Sequence, residues 1–285
     1  MTNNIVFRTI EEFMSGYTPR YTPLMPLFLT GARQHAPVVG EQTYKKVEAV
    51  GDIRSRVVTP KDTELHQIGS AGSSKTFKKY FLGSQYIQSN LQDRQGYEDV
   101  VAEALDEHFK HNDEIFLSGG GQNNGLLVSS DVNFTTRASA EMALGSNANL
   151  DALYAEIIAE ALVANEIEGQ KVLLYFGDTM STKMNSLYGD GKRPFNAVLG
   201  EAEALQGYDM IKVPTAVVPA SLTNGFAIVN MNKIQVHYMV LPEVNNQGVN
   251  EEKNYAWTNF LQGSSMVDVK TKDGIILQPL TFAVA

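Results

Sequence analysis

Three segments follow one another without interruption: a charged, alternating stretch over residues 41–88, an amphipathic segment over about 90–112, and the run DEIFLSGGGQNNGLLV over 113–128. This order constrains the fold more than any single motif does. An isolated β-hairpin is only marginally stable in water, so a long hairpin-like excursion that feeds straight into a helix needs a surface to lie on. Glycines just past the helix allow backbone angles that other residues resist, which predicts a tight reversal there.

Within the excursion, EQTYKKVEAVGDIRSRVV (41–58) and TFKKYFLGSQYI (76–87) partly alternate apolar and polar residues, as strands do. Phe77, Tyr80, Leu82 and Tyr86 are available for one face, and the segment between the limbs is rich in turn formers and ends in Gly/Ser. The helix that follows has a capping-box start in Ser89 and Gln92, then Tyr97, Val101, Leu105 and Phe109 at four-residue spacing, with Val100 and Ala104 widening the stripe. About 23 residues at ~1.5 Å each make a rod roughly 35 Å long, weakened in its first half by Gly96.

Upstream, Pro19, Pro23, Pro26 and Pro37 rule out a continuous helix or a central strand over residues 1–40 and predict an extended arm. Its apolar residues Leu24, Met25, Leu27, Phe28 and Leu29 require cover, from the chain's own body or from a neighbour. Downstream, NLDALYAEIIAEALV reads as a helix, KVLLYFGD as a short buried strand and DTMSTKMNSLYG as a short helix capped by Asp178 or Thr179. YDMIKVPTAVVP, GFAIVNM and KIQVHYMVLP read as strands, and SMVDVKTKDGIILQPLTF as a terminal hairpin turning at Asp273-Gly274.

Composition narrows the chemistry. The net charge of −9, from 32 acidic and 23 basic residues, argues against a protein that grips nucleic-acid phosphates, while a mildly repulsive wall suits a container that must not immobilise DNA. The absence of cysteine excludes disulfides and thiolate chemistry. No run approaches the ~18 apolar residues of a membrane helix, and the N-terminus lacks a basic region followed by an apolar one, so a cytosolic site of synthesis is expected.

No catalytic, cofactor-binding or metal-ligating residue is assigned, and no cofactor is expected. SGGGQNNG is neither a GxGxxG nor a Walker loop, and GDGKR (189–193) has Ser186 where a Walker loop requires glycine and Arg193 where it requires Ser or Thr. His108 and His111 beside Glu107 and Asp113 have a metal-compatible spacing but no third ligand at a recognisable position, and an ordinary helix-end pair is the simpler reading. His35, His66 and His237 are isolated in the sequence, and neither GxSxG nor SxxK is present. Met180, Met184 and Trp257 are expected to fill core. Lys45-Lys46 and Lys78-Lys79, on opposite limbs of the excursion, either protect strand edges or meet acidic groups on a neighbour.

In order and character the chain resembles the major capsid proteins of tailed bacteriophages with the Hong Kong 97-type fold. The likeness rests on the proline-rich arm, the extended loop, YFLGSQYIQSNLQDRQGYEDVVAEAL leading into a long helix, and the exit through DEIFLSGGGQNNGLL. Asp113, Gly119, Gly121, Gly125 and Leu126 stand where that family has an acidic residue, Gly-x-Gly and a Gly-Leu pair, and the C-terminal WTNFLQGSSMVDVKTKDGIILQPLTF looks like its closing strands. The resemblance implies an α+β fold with an N-terminal arm (1–40), an extended β-hairpin loop (41–88), a peripheral domain with the spine helix (89–135 and 245–285) and an axial domain (136–244).

It also implies a non-enzymatic homo-oligomer, with hexamers and pentamers forming an icosahedral shell around double-stranded DNA bound without sequence specificity. Portal and decoration proteins are implied as partners, and no membrane. The shell would be a virion capsid assembled in the host bacterial cytoplasm. Because the sequence starts at Met1, scaffolding is expected to be a separate chain or unnecessary. Lys75, Lys78 and Lys79 do not by themselves assign a covalent cross-link. Two other readings stand beside this one: an encapsulin-type shell, against which the proline-rich start weighs, and a hydrolase or small-molecule binder, for which the sequence shows no coherent site.

Overall fold

The computed structural model describes residues 20–50, 69–88, 94–120, 123–128, 135–144, 147–189, 205, 207–250, 252–253 and 255–284. In chain order the strands and α-helices are β1 (Arg33–Gln34), β2 (Gly40–Val50), β3 (Gly69–Lys79), β4 (Phe81–Gln88), α1 (Arg94–Ser118), β5 (Thr135–Thr136), β6 (Ala140–Leu144) and α2 (Asn147–Asn165). There follow β7 (Lys171–Phe176), α3 (Asp178–Gly189), β8 (Asp209–Val213), β9 (Gly225–Asn230), β10 (Ile234–Tyr238), β11 (Glu243–Asn250), β12 (Tyr255–Gly263), β13 (Ser265–Val269) and β14 (Ile275–Val284).

A six-stranded sheet carries the largest core. Its strands run β5-β14-β9-β7-β8, with β6 also paired to β14. Both faces are covered, which is why KVLLYF and GFAIVN are continuous apolar runs and not alternating ones. Leu173, Phe226, Ile228 and Ile276 face Leu153, Ile157 and Ala161 of α2 and Met180 and Met184 of α3. Val172, Leu174, Phe176, Ala227, Val229, Ile275 and Leu277 point the other way, into a cluster with Phe116 and Leu117 of α1, Leu126, and the arm residues Leu24, Met25 and Phe28.

Residues 24–28 of the expected arm therefore pack on the body of the same chain. Pro26 sits in the first turn of a 3-10 helix (Met25–Phe28), where its missing N–H costs nothing, and this turn drives Met25 and Phe28 into the core at 0% exposure. The Phe28 and Phe116 ring centroids are 5.6 Å apart.

The expected terminal hairpin does not form. β13 pairs with β10 (Ile234↔Val269 to Tyr238↔Ser265), and β14 pairs with β9 (Ile275↔Val229 to Pro279↔Gly225). Asp273-Gly274 is a jog in a longer antiparallel ribbon: Gly274 accepts from the Asn230 N–H, and Lys233 accepts from the Lys270 N–H, so the backbone bonding continues across the break. The ribbon runs from the six-stranded sheet into a smaller one ordered β1-β10-β13, and so ties the two together.

The excursion also differs from its sequence reading. Its return limb is the Gly/Ser-rich β3, which pairs with β2 over the full register from Gly40↔Lys79 to Val50↔Gly69. β4 leaves that hairpin to join β12, in a third sheet ordered β11-β12-β4. Val101 and Leu105 of α1 pack on Val244, Ala256 and Phe260 of this sheet. Val100 lies outside the stripe, 39% exposed, and Trp257 is on the opposite face of β12 from Ala256 and Phe260, over Gly248. The expected helix start at Ser89 and Gln92 falls outside the described residues, and α1 runs on through Ile115-Phe116-Leu117 to Ser118.

Because Phe28 is a core residue of its own chain, Phe28→Ala is expected to cost about 3–5 kcal/mol of subunit stability. Equilibrium urea denaturation of the unassembled chain checks this; an unchanged midpoint would show that the arm is not docked on its own helix.

Candidate functional site

The C-terminal half of α1 gathers the arm, the hairpin root and the glycine turn into one place. Asp106 and Asp113, seven residues apart, lie on the same helix face and both turn toward the arm. Asp106 accepts from the Arg20 and Tyr21 backbone N–H groups, each at 3.3 Å. Asp113 is wholly buried. Its Oδ2 accepts from the Tyr21 hydroxyl at 2.6 Å and the Leu24 N–H at 2.7 Å, and its Oδ1 accepts from the Met25 N–H at 2.9 Å.

Burial pushes the Asp113 carboxyl above the usual carboxylate range, against the pull of these three hydrogen bonds. Tyr21 is raised as well, by burial first and then by the adjacent carboxylate. Both Asp113 oxygens are engaged by the arm, so the group acts as an anchor and not as a base.

At the end of α1, Gly119 takes φ +77° and the chain doubles back. Leu126 and Leu127 then donate to the Phe116 and Leu117 carbonyls, each at 2.8 Å. This return is so close that a Cβ on Gly125 would stand 2.2 Å from the Gly119 nitrogen. The turn reaches the hairpin through Asn123, whose side chain accepts from the Lys78 N–H at 3.3 Å and donates to the Lys78 carbonyl at 3.0 Å, as a strand neighbour would. The Tyr80 hydroxyl donates to Gly120 at 3.0 Å. SGGGQNNG is thus a structural joint, and Gly121 lies outside the described residues.

The hairpin root is held on its other side by β10 and β13. Lys75 meets the buried Asp268 at 2.6 Å, and Lys79 donates to the Ala36 carbonyl at 3.0 Å. Tyr44 stacks on His237 at 4.2 Å, and His35 bridges Gln42 at 3.0 Å and His237 at 2.9 Å. The fully buried Phe77 lies beside both imidazoles.

The sequence-level candidates fall differently. His108 is buried and stacked on Phe260, while His111 is exposed and 3.2 Å from Glu114, so the two rings face different neighbours. Burial pushes His108 below its usual range. Met180 and Met184 are core; part of GDGKR, and His66, lie outside the described residues. Among the described residues no three His, Cys, Asp or Glu side chains cluster as a metal site would require, and no helix is long and apolar enough to cross a membrane. Tyr21, His35, Asp106, Asn123, His237 and Asp268 were not legible as partners, because each pairs with a residue far away in the chain. The one local signal was the Asp106/Asp113 spacing on a single helix face.

No protein-family model and no curated protein sequence matches the chain. Solved structures do match. The capsid of the Myoviridae phage XM1 superposes with a TM-score of 0.58 at 13% identity, covering 98% of each chain. The chain has the Hong Kong 97-type capsid fold. A structure from Microbacterium phage Oxtober96 gives 0.57 at 13% identity, covering 92% of this chain and 93% of that one. The virus-like particle from Pyrococcus furiosus gives 0.54 at 9% identity, over 94% and 95%. Within this capsid fold the residues described above join the arm, the hairpin and the spine helix into one body.

Three substitutions test that joint. Gly125→Ala places a methyl group against backbone that has no room to move, and is expected to cost more than about 4 kcal/mol or to abolish folding, read as loss of soluble protein. Tyr21→Phe and Asp113→Asn are each expected to cost about 1–3 kcal/mol. In a double-mutant cycle by urea denaturation they should be coupled; strict additivity would show that the hydroxyl and the carboxylate do not interact.

Proposed function

We propose that the chain is the major subunit of a capsid, self-assembling through hexamers and pentamers into an icosahedral shell that encloses double-stranded phage DNA. The observation that carries this reading is end-to-end likeness to the XM1 capsid, together with a hairpin whose described strands pair with each other and with no third strand. A two-stranded ribbon of this length gains stability by lying on another surface, and many modest contacts of that kind add up in a closed symmetric shell. The polar groups at the centre of the subunit are spent on joining segments, which supports a structural and non-enzymatic role. The acidic balance suits a wall that holds DNA without binding its sequence.

In this reading residues 1–40 form the arm, 41–88 the extended loop, 89–135 with 245–285 the peripheral domain and 136–244 the axial domain, with β14 crossing to close the axial sheet. Assembly takes place in the host bacterial cytoplasm, with portal and decoration proteins as partners. A second reading, a cellular enzyme-loaded shell, is supported by the likeness to the virus-like particle from Pyrococcus furiosus.

Negative-stain electron microscopy of the purified, singly expressed protein is expected to show closed shells, tubes or capsomer rings, and the DNA or enzyme content of particles made in the native host separates the two readings. The hairpin is tested by joining Val50 to Gly69, which are paired in register, through an Asn-Gly turn. The shortened subunit should stay soluble and lose assembly; unimpaired assembly would remove the hairpin from the proposed contacts.

A further inference from the structure

We propose that the His35–His237 pair is a proton-released latch: with both imidazoles neutral it holds the β2–β3 hairpin at one angle to the core ribbon, and protonation frees the hairpin to pivot at its root. The directions of the hydrogen bonds carry the argument. Gln42 Oε1 accepts, so His35 Nδ1 holds the hydrogen between them. In a neutral His35 ring Nε2 is then an acceptor, and His237 Nδ1 donates to it across 2.9 Å. The chain of bonds runs one way, from His237 on β10, through the arm, to Gln42 on the hairpin.

Neither ring takes a second proton without loss. On His35 it would set N–H against N–H. On His237 it would arrive at Nε2, a buried atom with no hydrogen-bond partner in the structure, on a side chain of 0% exposure. The surroundings add to this. Arg33 from β1 and Lys79 from β3 act on His35; Arg33, Lys75 from β3 and Asp268 from β13 act on His237, whose ring lies on Tyr44 of β2. Asp268 is the one carboxylate among these groups, and it already holds Lys75 at 2.6 Å.

Burial, ahead of these charges, holds His35 below its usual range and His237 down at about 4, the Gln42 bond and Asp268 pulling the other way. Unfolded or released imidazoles bind protons near pH ~6.5. The latch therefore contributes its full stabilisation above that value and loses it as pH falls toward about 4. Asp113, whose carboxyl is shifted upward, titrates with the opposite sign and does not loosen the arm over the same fall.

The experiment reads a distance within one chain, so it stands whether or not the chain builds shells. With no native cysteine, Ser73→Cys on the hairpin and Lys253→Cys on the β11–β12 turn can be spin-labelled cleanly. Labelled chain, diluted into unlabelled chain, is measured by pulsed electron resonance from about pH 7.5 to about pH 3.5, a span that runs from above free imidazole to below the value of about 4 held by His237. A single narrow distance is expected to give way reversibly to a broad distribution in most molecules, and the His35→Gln, His237→Phe double variant should show no such step. An unchanged distance in the native chain, or the same step in the variant, overturns the latch. Should the variant not fold, histidine C2–H exchange by mass spectrometry on the native chain decides: His35 and His237 midpoints that track the distance change support the latch, and midpoints near free imidazole overturn it.

Discussion

The buried carboxylate of Asp113 is the constraint from which the organisation of the chain follows. Taking such a group out of water is expensive unless its oxygens find hydrogen-bond donors, and the donors here come from Tyr21, Leu24 and Met25. The arm is therefore drawn onto α1 at one position, and Met25 and Phe28 are carried into the space between the helix and the six-stranded sheet. Six residues later the chain reverses at Gly119 and stays within backbone distance of itself at Gly125, which places Asn123 against the hairpin root. A polar anchor and a steric joint thus act on the same end of the same helix.

The consequence is a chain in which the arm, the glycine turn and the hairpin root meet at one end of α1. Both faces of the main sheet are buried, and the β9–β10/β13–β14 ribbon couples that sheet to the one supporting the hairpin. The described hairpin strands pair with each other and with no third strand. Small changes at the root, where Lys75, His35 and His237 meet, are magnified along a ribbon of eleven paired positions.

Much of this was legible in the sequence wherever the signal is local. The four-residue spacing of Val101, Leu105 and Phe109 marked α1, the continuous apolar KVLLYF marked a strand buried on both faces, and the glycines after α1 marked a reversal. What failed was partner choice. Asp273-Gly274 has hairpin-turn chemistry, yet β13 and β14 each find better partners in β10 and β9, and tertiary pairing overrode the local preference. The apolar residues of the arm announced a need for cover, but which surface supplies it for Leu24 and Met25 depended on Asp113, 89 residues beyond Leu24. His35 and His237 stand 202 positions apart, and no pattern in the chain announces their contact.

The most direct test is a cryo-electron microscopy map, at side-chain resolution, of particles formed by this chain. The account predicts that residues 20–35 trace continuously onto the α1 of their own subunit, with density joining Tyr21 to Asp113, while the β2–β3 hairpin leaves its root and lies across a neighbour. An arm exchanged onto a neighbour's helix, or a hairpin folded back on its own subunit, would contradict it.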